Sequence, residues 1–353
     1  MCAGLLEICR YRDPLSAGPT LSTGSRPTVP SFRVHGKTPL IIGGMDALTD
    51  LIPLLLTSDQ LLSRGMTSQQ LSRAVKSGDL IRLRPGFYVE GESRELPRHE
   101  RHLLSVLAAD AALGGPLFSH SSAALIHGLP DRGLKLGKVA VCEESPAARS
   151  RTTSLTTFRT VPDLAGETMT VNGLRVTSPA RTVTDIALTA SRDASVTVAD
   201  AALKKGLVTA DELEDSLARA AGRPGIKRAR HAMSLVDDKS ESVAETLSRL
   251  TFLDFGLPTP ETQVEIFNEH GAEIARVDFL WPEYGVIGEC DGFGKYFDGL
   301  SPAETREKLA KEKDRDAELI ALGYRVIHWR WRDVLQPARL AARLRRVLFT
   351  GAR

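Results

Sequence analysis

The stretch from Thr57 to Val89 constrains the fold most strongly, because helix start and stop signals follow one another within a few residues. Ser58 caps a predicted short helix that ends at Arg64-Gly65. Thr67 begins a second predicted helix over 69–76, in which apolar residues recur one turn apart on one face. The stretch therefore predicts two short helices joined by a tight turn.

Two short strands are predicted directly after these helices. Residues 80–83 and 87–89 are rich in branched and aromatic side chains, and the turn sequence Arg84-Pro85-Gly86 separates them. The order helix, turn, helix and two-stranded wing is typical of a winged helix-turn-helix, whose second helix enters the major groove of DNA while the wing contacts the backbone. The residues predicted to contact duplex DNA are Ser68, Gln69, Arg73, Lys76, Arg82 and Arg84.

The length of 353 residues indicates two or three domains, at roughly 150 residues per domain. A formal net charge of +2 does not by itself indicate a partner. From Pro302 to the C-terminus, however, thirteen Lys or Arg residues stand against seven Asp or Glu. These cations form either a functional surface or an ordinary solvated helix face.

The cellular compartment follows from the cysteines and the apolar runs. The four cysteines are scattered and form no C-x-x-C pair, which argues against a disulfide framework or a zinc site and fits a reducing environment. No apolar run approaches the roughly 20 residues that span a membrane. The N-terminus also lacks the order of a signal peptide. We therefore expect a cytoplasmic protein without a membrane partner.

Residues 1–44 are predicted to be a disordered leader, because Ser, Thr, Gly, Pro and Arg dominate and no helical or strand period is present. An apolar-periodic segment begins directly after Met45. Either translation begins at Met45, or residues 1–44 are a genuine disordered arm. In both cases we expect the leader to lie outside the folded domains.

The block at 96–238 is predicted to be a mixed α+β region with a structural role. Its clearest signals are a hairpin turn at Val171-Asn172-Gly173-Leu174, a helix start at Ser178-Pro179 and a capping sequence at Thr209-Ala210-Asp211-Glu212. We find no nucleophile, metal-ligand or phosphate-loop pattern in it.

A helical pattern runs from Arg98 to Leu129 in this block, and two histidines lie within it. His120 and His127 could serve a site, but single histidines beside a helix more often satisfy local hydrogen bonds. We therefore assign them a structural role.

Residues 239–353 are predicted to form an α/β domain with charged residues gathered at one strand end. A helix over 240–253 is followed by strands at 272–281 and 286–291. A charged helix, a strand at 324–329 and a last helix from about Pro337 to Leu348 complete the domain.

A two-residue hairpin loop at Glu283-Tyr284 would place Asp278 opposite Glu289, and Arg276 opposite Asp291. Alternation then predicts one largely apolar face, formed by Val277, Phe279, Trp281, Val286, Gly288 and Cys290. The four charged residues would share the other face. Two opposed carboxylates at about 5 Å would repel each other. An Arg, a shared proton or a divalent cation such as Mg²⁺ must therefore offset their charge.

This arrangement, over residues 240–335, resembles the PD-(D/E)XK nuclease superfamily, and more closely its uncharacterised branch similar to very-short-patch-repair endonucleases. The resemblance implies that Asp278 and Glu289 are catalytic acids that bind metal. It also implies that Glu245, on the preceding helix, assists them.

The sequence departs from that superfamily at the position expected to hold Lys, which is Asp291. Asp291 would then be a further metal ligand. Lys295, after the loop that follows the strand, is the first candidate to supply the missing amine in catalysis, and Lys313 is the second.

The front of the chain, residues 57–190, resembles the winged-helix module of AbiEi-type antitoxins from type IV toxin–antitoxin systems. The resemblance is carried by the helix of Leu71, Gly78-Asp79-Leu80, Arg84-Pro85-Gly86-Phe87-Tyr88, Ser122-Ala123-Ala124 and His127-Gly128-Leu129-Pro130. Such antitoxins are similar to autorepressors that bind their own promoter. The resemblance implies duplex DNA and a toxin as partners.

The expected fold class is α/β overall, with a winged helix-turn-helix at 45–95, a mixed α+β region at 96–238 and a restriction-endonuclease-like α/β domain at 239–353. The main hypothesis is a DNA endonuclease dependent on Mg²⁺ or Mn²⁺, in which the metal activates water and Lys295 orients it. The alternative is a transcriptional regulator or antitoxin with a catalytically inactive nuclease-like domain, because a fold does not prove chemistry. A homodimer is a further candidate assembly.

Overall fold

The computed structural model describes residues 46–144, 149–161, 163–291 and 301–350. The predicted leader at 1–44 and Lys295 lie outside these ranges. Within them, no helix combines the length and apolar character needed to cross a membrane.

The N-terminal part has the predicted order of two helices and a wing. Its elements are α1 (Asp46–Leu51), β1 (Leu56–Thr57), α2 (Ser58–Ser63), α3 (Ser68–Ser77), β2 (Leu80–Arg84) and β3 (Phe87–Glu90). The strands form an antiparallel sheet in the order β1-β3-β2, so a short strand that the sequence analysis missed extends the wing. Thr57, and not Ser58, caps α2. Leu61, Leu71, Leu80 and Tyr88 form a small core beneath the wing.

The middle part combines a sheet with a layer of helices. Its elements are α4 (Arg98–Leu113), β4 (Leu117–Phe118), α5 (His120–Ile126), β5 (Val139–Glu144), β6 (Arg151–Thr152), β7 (Thr156–Val161), β8 (Thr168–Val171), β9 (Leu174–Thr177), α6 (Pro179–Thr189), α7 (Arg192–Lys204), α8 (Ala210–Arg219) and α9 (Ile226–Met233). The strands form a sheet in the order β6-β7-β5-β4-β9-β8.

Local turn signals in this part were predicted correctly, whereas one helix was not. Asn172 and Gly173 adopt φ angles of 49° and 79° at the hairpin between β8 and β9. The prediction of helix throughout 98–129 is wrong, because Gly114 and Gly115, at φ angles of 71° and 76°, end α4. Pro116 follows them, and β4 then separates α4 from α5.

The C-terminal part is a four-stranded sheet between helices. Its elements are α10 (Val243–Asp254), β10 (Glu261–Phe267), β11 (Glu273–Trp281), β12 (Val286–Asp291), α11 (Pro302–Ala321), β13 (Arg325–Arg330), α12 (Trp331–Val334) and α13 (Pro337–Phe349). The order is β10-β11-β12-β13, with β12 and β13 parallel and the other pairs antiparallel. Helices α10 and α13 cover one face, and α11 packs on the other.

An aromatic cluster fills the face beneath α10. Phe252 packs edge-on against Phe279 and Trp329, with ring centroids 5.2 and 5.8 Å apart. The Trp329 indole Nε1 donates to the hydroxyl of Ser248 at 2.8 Å, so its polar atom is satisfied in the core. A Cβ at Gly288 would lie 2.6 Å from Trp329, so only glycine leaves room for the indole.

A buried carboxylate joins the middle and C-terminal parts. Asp200, on α7, accepts hydrogen bonds from Thr246 and Arg249 of α10, each at 2.8 Å, and from the backbone N of Asp237 at 2.9 Å. Because all of these donors converge on one buried group, the packing of α10 against α7 is fixed.

Candidate functional site

The sequence of α3 fixes this helix at both ends. The Thr67 hydroxyl accepts from the backbone N of Gln70 at 3.2 Å, and the Gln70 side chain accepts from the backbone N of Thr67 at 2.8 Å. Gly78 ends the helix at a φ of 87°, which favours glycine. Leu71 anchors α3 to the core of the winged helix.

The opposite face of α3 carries the residues predicted to read DNA. Its exposed side chains include Ser68, Gln69, Ser72, Arg73 and Lys76. Among the described residues, neither Arg73 nor Lys76 is bonded to a carboxylate. An exposed row of hydroxyl, amide and cationic groups can bond base edges and phosphates. The structure therefore presents the predicted residues of α3 together, and adds Ser72.

A close backbone contact holds the wing against the end of α3. The backbone N of Gly91 donates to the carbonyl of Asp79 at 2.8 Å. A Cβ at Gly91 would lie 2.2 Å from the carbonyl oxygen of Gly78, so a larger residue is excluded. The wing and the second helix are thus one rigid unit.

The two arginines predicted on the wing have different environments. Arg82 is exposed, as predicted. Arg84 is 7% exposed, and its guanidinium donates to the hydroxyl of Thr156 on β7. Burial lowers the pKa of Arg84. The β2–β3 ladder shifts register between the two arginines, so strict alternation does not give their directions. Arg84 therefore joins the wing to the larger sheet and does not face solvent.

We expect alanine variants of Arg82 and Arg84 to differ in the salt dependence of DNA binding. In Arg82→Ala, the slope of log K against log salt should flatten by about one, because about 0.9 of a counterion is released per phosphate contact. Arg84→Ala should leave the slope unchanged. Fluorescence anisotropy with a labelled duplex measures both. A flattened slope in Arg84→Ala alone would contradict this assignment.

The predicted β11–β12 register is confirmed where the ladder forms, but the ladder stops before the carboxylates. Phe279 pairs with Gly288 and Trp281 with Val286, although a short 3-10 helix over Pro282–Tyr284 replaces the two-residue loop. Asp278 accepts a hydrogen bond from the backbone N of Cys290 at 2.8 Å. The Asp278 carboxylate thus accepts from a backbone N–H of β12 just beyond the last pair of the ladder, Phe279 and Gly288.

The alternation of β11 also breaks at this point. Val277 packs with Leu280 and Ile287 beneath α11, and not with Phe279 as predicted. Gln263, on β10, has a φ of 52°, and the register on both sides of it is the same. Val277 and Phe279 therefore point to opposite faces of the sheet, although they are two residues apart, and the irregularity lies at Asp278.

The described β11–β12 ladder does not include the predicted pair of Asp278 and Glu289, and basic groups lie beside the later two carboxylates. Arg315, on α11, lies 3.3 Å from Glu289 (Nη2 to Oε1). His328, on β13, lies 3.3 Å from Asp291 and 2.9 Å from Asp316. These basic groups come from α11 and β13, further along the chain, so the spacing of the sequence did not predict them.

Arg276 is also placed differently from the prediction. It pairs with Glu265 in the β10–β11 ladder, and its guanidinium contacts Glu241 at 2.7 Å. The β11–β12 ladder does not extend to the predicted pair of Arg276 and Asp291.

Glu245 and Asp278 are linked through one amide. The Nε2 of Gln263 donates to Glu245 at 2.9 Å and to Asp278 at 3.1 Å. Glu245 also accepts from the Ser242 hydroxyl at 2.7 Å. Burial, followed by the charge of Asp278, raises the pKa of Glu245. The predicted helix acid and the first strand acid are thus neighbours.

Within the described ranges, the predicted acids are not arranged as a metal site. Asp278 is bonded to a backbone N–H and an amide, Glu289 faces an arginine, and Asp291 faces a histidine. Among the described residues, no group of three or more His, Cys, Asp or Glu side chains is arranged to hold a metal ion. We therefore derive no step through a metal, and binding of Mg²⁺ or Mn²⁺ stays a prediction.

The two carboxylates around His328 predict a pH-dependent stability. The hydrogen bond to Asp291, reinforced by the charges of Asp316 and Asp291, raises the pKa of His328 from 6.5 to about 9. Because the folded pKa is the higher one, the stabilisation is complete below about pH 6.5 and is lost as pH rises through about 9, by roughly 3 kcal/mol. Urea unfolding of the wild type and His328→Asn at pH 6 and pH 10 tests this. A difference that does not change with pH would contradict it.

His120 and His127, in the middle part, make hydrogen bonds within the folded chain. The Nε2 of His127 bonds the carbonyl of Thr177 at 2.8 Å, and the Nδ1 of His120 lies 3.0 Å from the Ser119 hydroxyl. Burial lowers the pKa of His120 to about 4, so this side chain is neutral at pH 7.

A buried ion network, which the sequence analysis missed, lies nearby. Arg181 contacts both Glu167 and Asp185, the latter at 2.9 Å. Arg223 reaches Asp185 at 2.8 Å, and Arg219 reaches Glu167 at 3.0 Å. The network ties α6 to the loops and helices around it.

Comparisons with known proteins place the first two parts of the chain. Residues 55–91 match the family described as transcriptional regulator, AbiEi antitoxin. Residues 113–235 match the AbiEi antitoxin C-terminal domain. Two stretches of the chain therefore match AbiEi antitoxin domains, and the first of them is the winged helix described above.

The similarity to one group of relatives extends over most of the chain. The uncharacterized proteins MT2308 and Rv2248, from two strains of Mycobacterium tuberculosis, are each 33% identical over 286 residues, which is 80% of this chain and 97% of theirs. The chain belongs to the family of these mycobacterial proteins. The crystal structure of RV2827C protein from Mycobacterium tuberculosis aligns with a TM-score of 0.34 at 18% identity, over 64% of this chain and 87% of that one.

Proposed function

We propose that this protein is a transcriptional regulator of the antitoxin type, which binds duplex DNA upstream of its own gene through α3 and the wing. The exposed face of α3 carries the proposal, because Gln69, Arg73 and Lys76 project from a helix that is capped at both ends. The AbiEi matches support the same function, since that family is described as antitoxins and transcriptional regulators.

An antitoxin also has a toxin as its partner. We assign this contact to the middle part, which matches the AbiEi C-terminal domain. A homodimer would suit an operator with two half-sites, because protein symmetry then matches DNA symmetry. Both are parts of the proposal.

We assign the C-terminal domain a supporting and not a catalytic role. Each predicted strand acid lies beside a basic or N–H group of another element: Asp278 accepts from the backbone of β12, Glu289 is ion-paired with Arg315, and Asp291 lies 3.3 Å from His328. An Arg was one of the three groups expected to offset the repulsion of the carboxylates, and Arg315 beside Glu289 supports that possibility. The alternative hypothesis of the sequence analysis, a regulator with an inactive nuclease-like domain, is therefore the one we favour.

Repression of a reporter gene tests the proposed function. The region upstream of the gene is fused to a reporter, and the full chain is supplied from a second plasmid. We expect reporter activity to fall when the wild-type chain is present and to be restored with Arg73→Ala/Lys76→Ala at equal protein level. Full reporter activity in the presence of the wild-type chain would contradict the proposal.

Metal-dependent DNA cleavage is a second candidate function, favoured by the closeness of Glu245 and Asp278 around one amide. Its predicted residues are Asp278, Glu289, Asp291, Glu245 and Lys295. Calorimetry with Mg²⁺ and Mn²⁺, followed by a plasmid-cleavage assay, tests it. The regulator proposal expects neither binding nor cleavage. Cleavage that disappears in both Asp278→Asn and Glu289→Gln would establish the enzyme instead.

A further inference from the structure

An open groove lies between α12 and α13 at the C-terminal end of the chain. Its volume is about 470 Å³. The lining is Arg332, Asp333, Gln336, Arg339, Leu340, Arg343 and Arg346. Four guanidinium groups and one carboxylate therefore face one small space.

The folding of α13 explains why the arginines point outward. Leu340, Ala341, Leu344 and Leu348 are at most 2% exposed and form the face that packs on the sheet. Arg339, Arg343 and Arg346 lie four and three residues apart, so they share the opposite face. At 1.5 Å per residue they span roughly 10 Å along the helix.

Few carboxylates of the described residues contact the arginines of the groove. Arg339 donates to the amide oxygen of Gln336 at 2.8 Å. In the part of the chain that the structure describes, Arg332, Arg343 and Arg346 are not bonded to any carboxylate. Asp333, the carboxylate of the lining, accepts from the backbone N of Arg330 at 2.9 Å and caps α12. The groove thus holds four guanidinium groups and one carboxylate, an excess of positive charge.

We propose that this groove binds the phosphate backbone of duplex DNA as a second contact, which does not depend on sequence. Guanidinium groups bind phosphates in a bidentate manner, and duplex DNA supplies about one charge per 1.7 Å of its axis. This inference rests on the proposed function only in that DNA is the shared partner.

The structure favours DNA over a membrane or a protein as the occupant. A helix that lies in a membrane surface inserts an apolar face, but the apolar face of α13 is buried in the core. Protein interfaces centre on apolar or aromatic anchors, but Leu340 is the one apolar residue of the lining and is 2% exposed. A polar, arginine-rich groove fits a row of phosphates.

The test compares the full chain with the variant Arg339→Gln/Arg343→Gln/Arg346→Gln on a random-sequence duplex of about 40 base pairs, long enough to reach past the winged helix. The three side chains are exposed, so the fold should be retained. We expect the slope of log K against log salt to flatten by about two to three in the variant, because up to three phosphate contacts are lost. The control Lys135→Gln/Lys227→Gln/Arg230→Gln removes the same charge from other exposed positions and should leave the slope unchanged.

An unchanged slope in the groove variant would overturn the inference. So would loss of binding to anionic lipid vesicles in this variant without any change in its binding to DNA, since the groove would then be a lipid site.

A separate titration with the gene's own upstream sequence distinguishes the two proposals. If the wild type binds that sequence specifically but the groove variant keeps its slope, the groove alone fails. If the slope flattens but no upstream sequence is preferred, the proposed function alone fails.

Discussion

Replacing Arg181 by Met is expected to destabilise the protein by about 3–5 kcal/mol, because removal of one partner leaves buried charge uncompensated. The Arg181 side chain is 6% exposed, and its partners Glu167 and Asp185 are 9% and 0% exposed. Arg219 and Arg223 still contact these carboxylates but cannot fill the space between them. Urea unfolding followed by circular dichroism measures the loss.

The matched control for this prediction is Arg219→Met. Arg219 contacts the same carboxylate, Glu167, but its side chain is 55% exposed. An exposed ion pair contributes at most about 1 kcal/mol, so the control should remain close to the wild type. Equal losses in the two variants would show that the network does not depend on burial. If Arg181→Met fails to fold, Arg181→Lys provides a milder variant, which should fall between the two.

Replacing both Arg73 and Lys76 by Ala is expected to lower the affinity for the recognised DNA sequence by about thirtyfold or more. Each contact to a base edge or phosphate contributes roughly 1–3 kcal/mol. Both side chains are exposed on α3, so the fold should be unaffected. Fluorescence anisotropy at fixed salt measures the affinity, and thermal unfolding verifies the fold.

The control for this double variant is Lys227→Ala/Arg230→Ala on α9, which removes the same two charges from exposed positions. It should change the affinity less than threefold, as expected for a weak effect of net charge alone. An equal loss of affinity in both double variants would assign DNA binding to overall charge and not to α3.

The winged helix could be predicted from the sequence because its signals are local. Thr67 with Gln70, Gly78 and Pro85-Gly86 each act within one turn of the chain, and the structure uses all of them. The hairpin at Asn172-Gly173 was predictable for the same reason. Arg84 was not, because its partner Thr156 lies 72 residues further along the chain.

The surroundings of Asp278, Glu289 and Asp291 could not be predicted from local sequence patterns. The register of β11 and β12 followed from alternation, but the break in that alternation at Asp278 depends on Gln263 of β10. That strand was missed because only Ile266 in it is buried, so its apolar pattern is weak. Arg315 and His328 come from elements further along the chain than the carboxylates, and no spacing rule connects them. The predicted repulsion was reasonable, but tertiary contacts offset it.

The most direct test of the account is the affinity of the wild-type chain for two duplexes of equal length, one from upstream of its own gene and one with the same bases shuffled. Both are titrated at about 0.15 M salt, where non-specific binding is weak. We predict that the upstream duplex binds at least about a thousandfold more tightly, the lower end for specific DNA-binding proteins. Equal affinity for the two duplexes would contradict the account, because α3 would then read no sequence.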